Sequence, residues 1–477
     1  MSKKSRVLSS LIYKFSERLM VKGLGLIISI ILARLLSPTE FGQIAIIMVF
    51  INLSIVFIDS GLNTALVQDK QTSKEDYSTV FYICFAIAIF IVIILWFTAP
   101  LISKYYDDSA LVLPLRVYSF SLLVGAANSV LVAKMQREMQ FKQMMWCNLI
   151  ACVISGCIGV IMAYAGYGIW ALIAYYFAST LLTCLLLSYA TKWHPILVFS
   201  INRAKKLFSF GWKIMISAFL CGIYYDIRAL IIGKLYSPAD LGYYNRGQQM
   251  PDVVSHTIEG ALQSVMFPVM SQCQDEKEKV KKILLRTSSM GALIIMPVML
   301  GLAAASEPIV SFLLTAKWLP CVIYMQLICL ANISIPINKP CLIAIQSLGR
   351  SDIYMKLEIV RRVIMLLILM ISVVCFNSVL AIAVSYVVSL WLDYFVIIYP
   401  IKRLTGLRLT EHLGVVYKIA IASVIMALAV FMIGQINIKS WLLLLIQIPS
   451  GICIYILLCH LLKIDSFQEL LNKIKSK

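Results

Sequence analysis

Arg34-Leu35-Leu36-Ser37-Pro38-Thr39-Glu40-Phe41-Gly42 is answered 200 residues later by Lys234-Leu235-Tyr236-Ser237-Pro238-Ala239-Asp240-Leu241-Gly242. At the same spacing Ser9 matches Ser209, Ile31 matches Ile231 and Asp59 matches Glu259, so the echo extends well beyond nine residues. The stretch has a local physical meaning. Ser37 is placed as a helix N-cap, Pro38 falls at N1 where a missing N–H costs nothing, and Glu40 at N3 closes a capping box. Each copy is read as a tight turn between two apolar helices, and its value is as a marker of internal duplication.

Working outward, 61% of the 477 residues are hydrophobic and 14% are charged, which places the chain among integral membrane proteins. Its net charge of +19 is spread over short loops between apolar runs, so orientation in a membrane explains it better than nucleic acid does. The basic start leads straight into an apolar run with no A-x-A-like cleavage site, and the first helix is expected to stay. The 13 cysteines lie mostly inside apolar runs with no C-x-x-C pair, and His194, His256, His412 and His460 are scattered. No metal site and no cofactor is predicted.

Apolar runs long enough to span fall near 15–36, 43–66, 79–100, 111–133, 144–165, 167–190, 214–236, 243–270, 288–309, 319–345, 359–376, 378–400, 418–435 and 440–462. With both termini cytoplasmic, 31 of the 42 Lys and Arg fall on the cytoplasmic side, five on the other, and six inside spans. That asymmetry is the positive-inside pattern. An even number of spans per copy makes the repeat parallel, about an axis along the membrane normal. The expected architecture is all-α and integral to the membrane, with about 14 transmembrane helices. It comprises an N-terminal six-helix bundle (1–190), a cytoplasmic amphipathic linker (191–213), a C-terminal six-helix bundle (214–400), two additional transmembrane helices (401–462) and a cytoplasmic tail (463–477). The tail places Ile464, Phe467, Leu470, Leu471 and Ile474 on one helical face and reads as an interfacial anchor.

The extramembrane segments are too short to fold a catalytic domain, and neither a G-x-x-x-x-G-K-[ST] loop nor an H-E-x-x-H pair is present. The chain is therefore read as no enzyme. Charges inside spans are costly and become the functional candidates. Asp226 and Arg228 fall near mid-span, two residues apart on different sides of one helix, and either line a cavity or form a structural ion pair, with Asp393 as a candidate partner. Lys14, Arg18 and Lys22 form one stripe with Glu17 beside it, facing either a cytoplasmic vestibule or the lipid headgroups. Tyr243-Tyr244-Asn245-Arg246-Gly247-Gln248-Gln249-Met250-Pro251-Asp252 is too polar to face lipid and suits a water-filled cavity. Pro336-Ile337-Asn338-Lys339-Pro340 breaks the tenth span, and Lys339 there is either a phosphate contact or a snorkelling lysine. Asp59 and Glu259 fall near cytoplasmic ends of equivalent helices, where a structural role fits. Seven acidic residues in spans against six basic ones exclude reading a cationic lumen from counts alone.

Several of these stretches together carry a family resemblance: the paired turns, Phe57-Ile58-Asp59-Ser60-Gly61-Leu62 with Ala65-Leu66-Val67-Gln68, Gly242-Tyr243-Tyr244-Asn245-Arg246, and Leu348-Gly349-Arg350 with Asp352. The chain resembles the Wzx-type lipid-linked oligosaccharide flippases of the multidrug/oligosaccharidyl-lipid/polysaccharide superfamily, in a colanic-acid exporter-like branch. The resemblance implies movement of an undecaprenyl-pyrophosphate-linked oligosaccharide across a bacterial inner membrane by alternating access. It implies substrate contacts at Arg18, Lys22, Arg228, Arg246 and Lys339. Glu17, Asp59, Asp226, Glu259 and Asp393 are left between ion coupling and structural roles. Membrane lipids, a polysaccharide polymerase and other assembly enzymes are the implied partners. A multidrug or cation antiporter of the same superfamily is the alternative, and a membrane-embedded sugar transferase or polymerase the third reading.

Overall fold

The computed structural model describes residues 20–475 apart from 60, 64–65, 67–72 and 437, so Glu17 and Arg18 lie outside the described residues. Among the described residues the regular structure is helical, with no strand. The helices are α1 (20–35), α2 (Pro38–Asp59), α3 (Lys74–Tyr106), α4 (Val112–Ser119), α5 (Ser121–Arg137), α6 (Phe141–Tyr164), α7 (Ile169–Thr191), α8 (Ile201–Leu235), α9 (Pro238–Ser271) and α10 (Lys277–Ala304). They continue as α11 (Ser306–Leu313), α12 (Cys321–Asn332), α13 (Ile335–Ser347), α14 (Ser351–Phe376), α15 (Val379–Thr405), α16 (Leu409–Gly414), α17 (Tyr417–Gly434), α18 (Ser440–Leu461) and α19 (Asp465–Lys475).

Eleven helices among the described residues are long and apolar enough to cross a membrane, or 12 when α12 and α13, bent by 42°, count as one span. Two of the 14 expected spans stand outside that number. α1 is described only from residue 20, and α9 carries a run of polar residues.

The capping chemistry read from the repeated turn is present in both copies. Ser37 Oγ accepts from Glu40 N–H at 3.4 Å while Glu40 Oε2 accepts from Ser37 N–H at 2.6 Å. Ser237 and Asp240 exchange the same bonds at 3.1 and 3.2 Å. Ser73 and Asp76 form a third such box at the start of α3. Each satisfies two of the donors that a helix start leaves open.

The chain divides into two compact units between Gly242 and Tyr243. In the first, α2 is the central helix, burying Ile44, Ile46, Ile47, Ile51 and Ile58 against α3, α5, α7 and α8. α6 turns Cys152, Ser155, Gly156, Gly159 and Ala163 inward at helical spacing, and the small side chains let it lie close on α7. Residues 192–200 have no regular structure; Ile196 N–H donates to Ser78 Oγ at 3.1 Å and Ser200 N–H to Thr79 Oγ1 at 3.2 Å, sewing the segment to α3. From Ile201 onward the sequence expected as linker is helical and runs without a break into the seventh expected span, with Ser200 capping it.

In the second unit α10 packs against α12, α13 and α17. Met270, Val280, Leu284, Cys341, Ile345 and Ile397 form one end of the core. The short α16 is held there by His412, which is fully buried. Its Nδ1 meets Tyr394 Oη at 3.1 Å and its Nε2 meets Ser288 Oγ at 2.9 Å. α19 touches the same side of α10 through Ser466 to Ser289 and Glu469 to Arg286.

Candidate functional site

α9 is 34 residues long and contains Pro251 and Pro268. Along it Arg246, Gln249, Asp252, His256, Glu259 and Gln263 recur every three or four residues, which puts them on one face within an arc of about 140°. From Arg246 to Gln263 this polar stripe covers about 26 Å at 1.5 Å per residue, most of the depth of a bilayer core. A stripe of that length cannot face hydrocarbon.

What it faces is the bent pair α12–α13. Asn332, at the bend, donates to Asp252 Oδ1 at 3.5 Å. Lys339 Nζ lies 2.9 Å from Glu259 Oε2, and Gln263 meets Gln346 at 3.3 Å. The break itself falls at Ile333 and Ser334, ahead of Pro336 at the start of α13. Pro336 and Pro340 lack the N–H groups that would carry a straight helix through. Asn338, buried beside Lys339, spends its Nδ2 on the Leu390 carbonyl at 2.9 Å and fixes the bent segment to α15.

At one end of the stripe the backbone of α9 lies directly on α12. A Cβ at Gly247 would come within 2.7 Å of Met325 N and of Tyr324 Cβ, so only glycine fits. That closeness seats the neighbouring Arg246, 6% exposed, with its guanidinium 5.4 Å from the Trp318 ring centre and a hydrogen bond to Gln249 Oε1. Tyr243 packs edge-on against the same indole and Tyr244 against Tyr324. Aromatic faces, amides and a guanidinium thus share one end of the stripe, and a lysine–glutamate pair occupies the other.

A second charged cluster joins α14 and α15. Arg361 reaches Glu358 Oε1 and Asp393 Oδ2, both at 2.6 Å, and Arg362 reaches Glu358 Oε2 at 3.1 Å. The Asp393 side chain is only 7% exposed and the Arg361 side chain 14%. Arg361, at the start of the expected span near 359–376 and counted there among the cytoplasmic basic residues, lies inside α14 and is Asp393's partner. The spacing Glu358-x-x-Arg361-Arg362 was the legible signal, since acid three and four residues before base marks a helical pair.

The remaining expected residues sit in the first unit. Arg228 is buried and Asp226 half-buried on α8. Lys22 is exposed on α1. Asp59, at the end of α2, accepts from Asn63 Nδ2 at 3.0 Å. Among the described residues no three His, Cys, Asp or Glu side chains cluster as metal ligands.

Within the stripe's own unit an apolar groove of about 520 Å³ opens between α10, α17 and α18, lined by Leu293, Pro297, Gly301, Met426, Gly451 and Ile452 among others.

Comparison with known proteins bears on this arrangement. Residues 31–323 match the model of a family described as "Polysaccharide biosynthesis protein". The chain is 27% identical over 297 residues to the succinoglycan biosynthesis transport protein ExoT of Rhizobium meliloti, covering 62% of this chain and 60% of that protein. It is 21% identical over 407 residues to the lipopolysaccharide biosynthesis protein WzxC of Escherichia coli, covering 84% and 82%. Its fold is that of the lipid II flippase MurJ in an inward closed conformation, with a TM-score of 0.72 at 16% identity, over 97% of this chain and 100% of that one.

Proposed function

Because the chain belongs to the polysaccharide biosynthesis protein family, in a multi-pass membrane fold shared with a flippase, we propose that it is itself a flippase. The cargo is an undecaprenyl-pyrophosphate-linked oligosaccharide repeat unit, moved across the bacterial inner membrane by alternating access with both termini in the cytoplasm. The observation that carries the reading is the polar stripe of α9 set against the bent α12–α13 pair. It offers hydrogen-bonding groups over most of the bilayer's depth, which a glycan crossing hydrocarbon requires.

The roles follow from chemistry. Arg246 and Lys339 are the cationic groups of the stripe, suited to phosphate, and the amides of Gln249, Gln263 and Asn332 with the nearby tyrosines suit sugar hydroxyls. Arg228, Lys22 and Arg18 extend the cationic set. Lys339 already holds Glu259, so an arriving phosphate shares the ammonium with that carboxylate or displaces it, and the side chains' 39% and 20% exposure lets water solvate the displaced anion. The apolar groove beside α17 and α18 suits a polyprenyl chain. Polymerase and assembly enzymes are the downstream partners in this reading. Motion down the cargo's own gradient, or with an ion, needs no covalent step.

The test is a strain lacking the protein. Accumulation of a complete, unpolymerised lipid-linked repeat unit on the cytoplasmic leaflet, with loss of surface polysaccharide, is expected. Unchanged glycan with altered sensitivity to cationic dyes overturns the reading in favour of drug antiport.

A further inference from the structure

Arg116 takes no part in the stripe, yet it is a charge set among apolar side chains. α4 holds it against α3, where its Nε donates to the Trp96 carbonyl oxygen at 3.0 Å and its guanidinium lies 5.0 Å from the centre of the Trp96 ring. Phe120 packs edge-on against the same indole.

The bond to Trp96 has a local cause. Within a helix that carbonyl would receive the N–H of residue 100, and residue 100 is a proline, which has none. Arg116 Nε supplies the missing donor, so the carbonyl is not left open inside the membrane.

Nε is one of the five N–H donors of a guanidinium. The others, on Nη1 and Nη2, meet no protein acceptor among the described residues, and no carboxylate there pairs with the charge. A guanidinium does not deprotonate in proteins, so it calls for an anion from outside the chain. The surroundings say what supplies one. Phe97, Leu101, Leu113, Val117 and Phe120 are all exposed, a surface that belongs against acyl chains.

Depth agrees. The apolar run 80–100 of α3 covers about 30 Å, the thickness of a bilayer core, and Trp96 lies about 6 Å inside its end. From there the terminal nitrogens of an arginine reach the headgroups.

We propose that Arg116 is a binding site for the phosphate of an anionic bilayer phospholipid, in the leaflet at the Asp107 end of α3. The two Nη groups hold phosphodiester oxygens as a fork. Trp96 and Phe120 lie under the headgroup as interfacial aromatics, and the acyl chains run over Phe97, Leu113 and Val117. An anionic lipid is favoured because its phosphate carries no tethered ammonium to compete with the guanidinium.

Trp96 is a reporter within the site. The full chain, with the other seven of its eight tryptophans replaced by phenylalanine, is placed in phosphatidylcholine vesicles. These hold a minor fraction of phosphatidylglycerol or of phosphatidylcholine, brominated near the head end of the acyl chains, and quenching of Trp96 reads the lipid beside it. Occupancy by brominated phosphatidylglycerol is expected to be roughly fivefold that of brominated phosphatidylcholine at equal fraction, the weight of one cation near an anionic headgroup. Arg116→Gln is expected to remove the difference. Because that change also opens the Trp96 carbonyl, it is repeated with Pro100→Ala, which gives residue 100 an N–H. Pro100→Ala alone is expected to keep the preference, and Pro100→Ala with Arg116→Gln to lose it.

Equal quenching by the two lipids in the parent protein overturns the site, whether or not the variants fold. So does a phosphatidylglycerol excess that survives Arg116→Gln in the Pro100→Ala background, since it would then belong to other cations. The vesicles hold no lipid-linked glycan, so neither result bears on the flippase reading.

Discussion

The helices that follow the repeated turn, α2 and α9, start alike and then diverge. α2 carries buried isoleucines along its length, with Gln43 tied to the Asp108 loop near its start. α9 carries Arg246, Gln249, Asp252, Glu259 and Gln263 along a membrane-length face. The contrast extends to the units. In the first, charged side chains sit mostly at helix ends: Lys234 with Asp107, Arg203 with Asp76, Arg137 on the Leu66 carbonyl and Lys134 on the Thr191 carbonyl. In the second, Lys339–Glu259 and Arg361–Asp393 lie inside helices. Even the exceptions in the first unit, Asp226 and Arg228, belong to α8, which the 200-residue offset aligns with α1. The two copies share the turn, and the ion pairs set within helices, Lys339–Glu259 and Arg361–Asp393, belong to the second.

The sharpest way to break this comparison is to remove Arg361. Arg361→Ala strands the Asp393 carboxylate, whose side chain is 7% exposed, and is expected to cost about 3–5 kcal/mol of stability, read as a large drop in melting temperature in detergent. Lys234→Ala, at the solvent-exposed pair with Asp107 in the first unit, is expected to cost no more than about 1 kcal/mol. Equal losses would erase the distinction between the two kinds of charge.

Next in size is a pH effect confined to the second unit. Burial pushes the His412 imidazole from its ordinary 6.5 down to about 4. Between those values the unfolded chain binds a proton that the folded chain refuses, so stability is complete above pH 6.5 and falls as the pH drops toward 4. The loss is about 3 kcal/mol at 1.36 kcal/mol per unit. His412→Gln is expected to flatten the profile over that window, and a profile that keeps its slope would move the origin elsewhere.

Export tests the stripe. Arg246→Gln and Lys339→Gln are each expected to slow glycan export about tenfold, the equivalent of one lost charge-assisted contact, at unchanged protein level. Gln43→Ala, at the equivalent region of α2, is expected to leave export within about twofold. An export assay that ranks Gln43 with Arg246 would place cargo contacts in both copies.

The smallest expected effect sharpens the shared part. Ser37→Ala and Ser237→Ala each remove an N-cap and are expected to cost about 1 kcal/mol, by similar amounts. Unequal costs, measured by denaturant or heat, would show that the two turns no longer do the same work.

Much of this was legible in the residues, for reasons that differ from place to place. The turns were readable because capping is local: Ser37 and Glu40 are three residues apart. The span lengths were readable because hydrocarbon thickness dictates them. Glu259 and Lys339 were each visible as costly charges, yet their pairing was not, because 80 residues separate them and only the bend of α12–α13 brings them together. Arg361 stands at the very start of the run near 359–376, where a basic residue reads as cytoplasmic flank, although its spacing from Glu358 was there to be read. His412 gave no signal at all. A lone histidine between two apolar runs becomes a buried junction only through Tyr394 and Ser288, which come from distant parts of the chain.

The bend in α12–α13 also bears on how the protein is made. Its two arms have 12 and 13 residues, about 18 and 20 Å of helix, and neither crosses a core of about 30 Å alone. Emerging from the ribosome with Asn332 and Lys339 aboard, this segment is a poor candidate for independent insertion. Its natural companions, α9 and α10, precede it in the chain and are already laid down when it appears. Glu259 and Asp252 then act as acceptors waiting for it, and the order of synthesis becomes part of the way the span is stabilised.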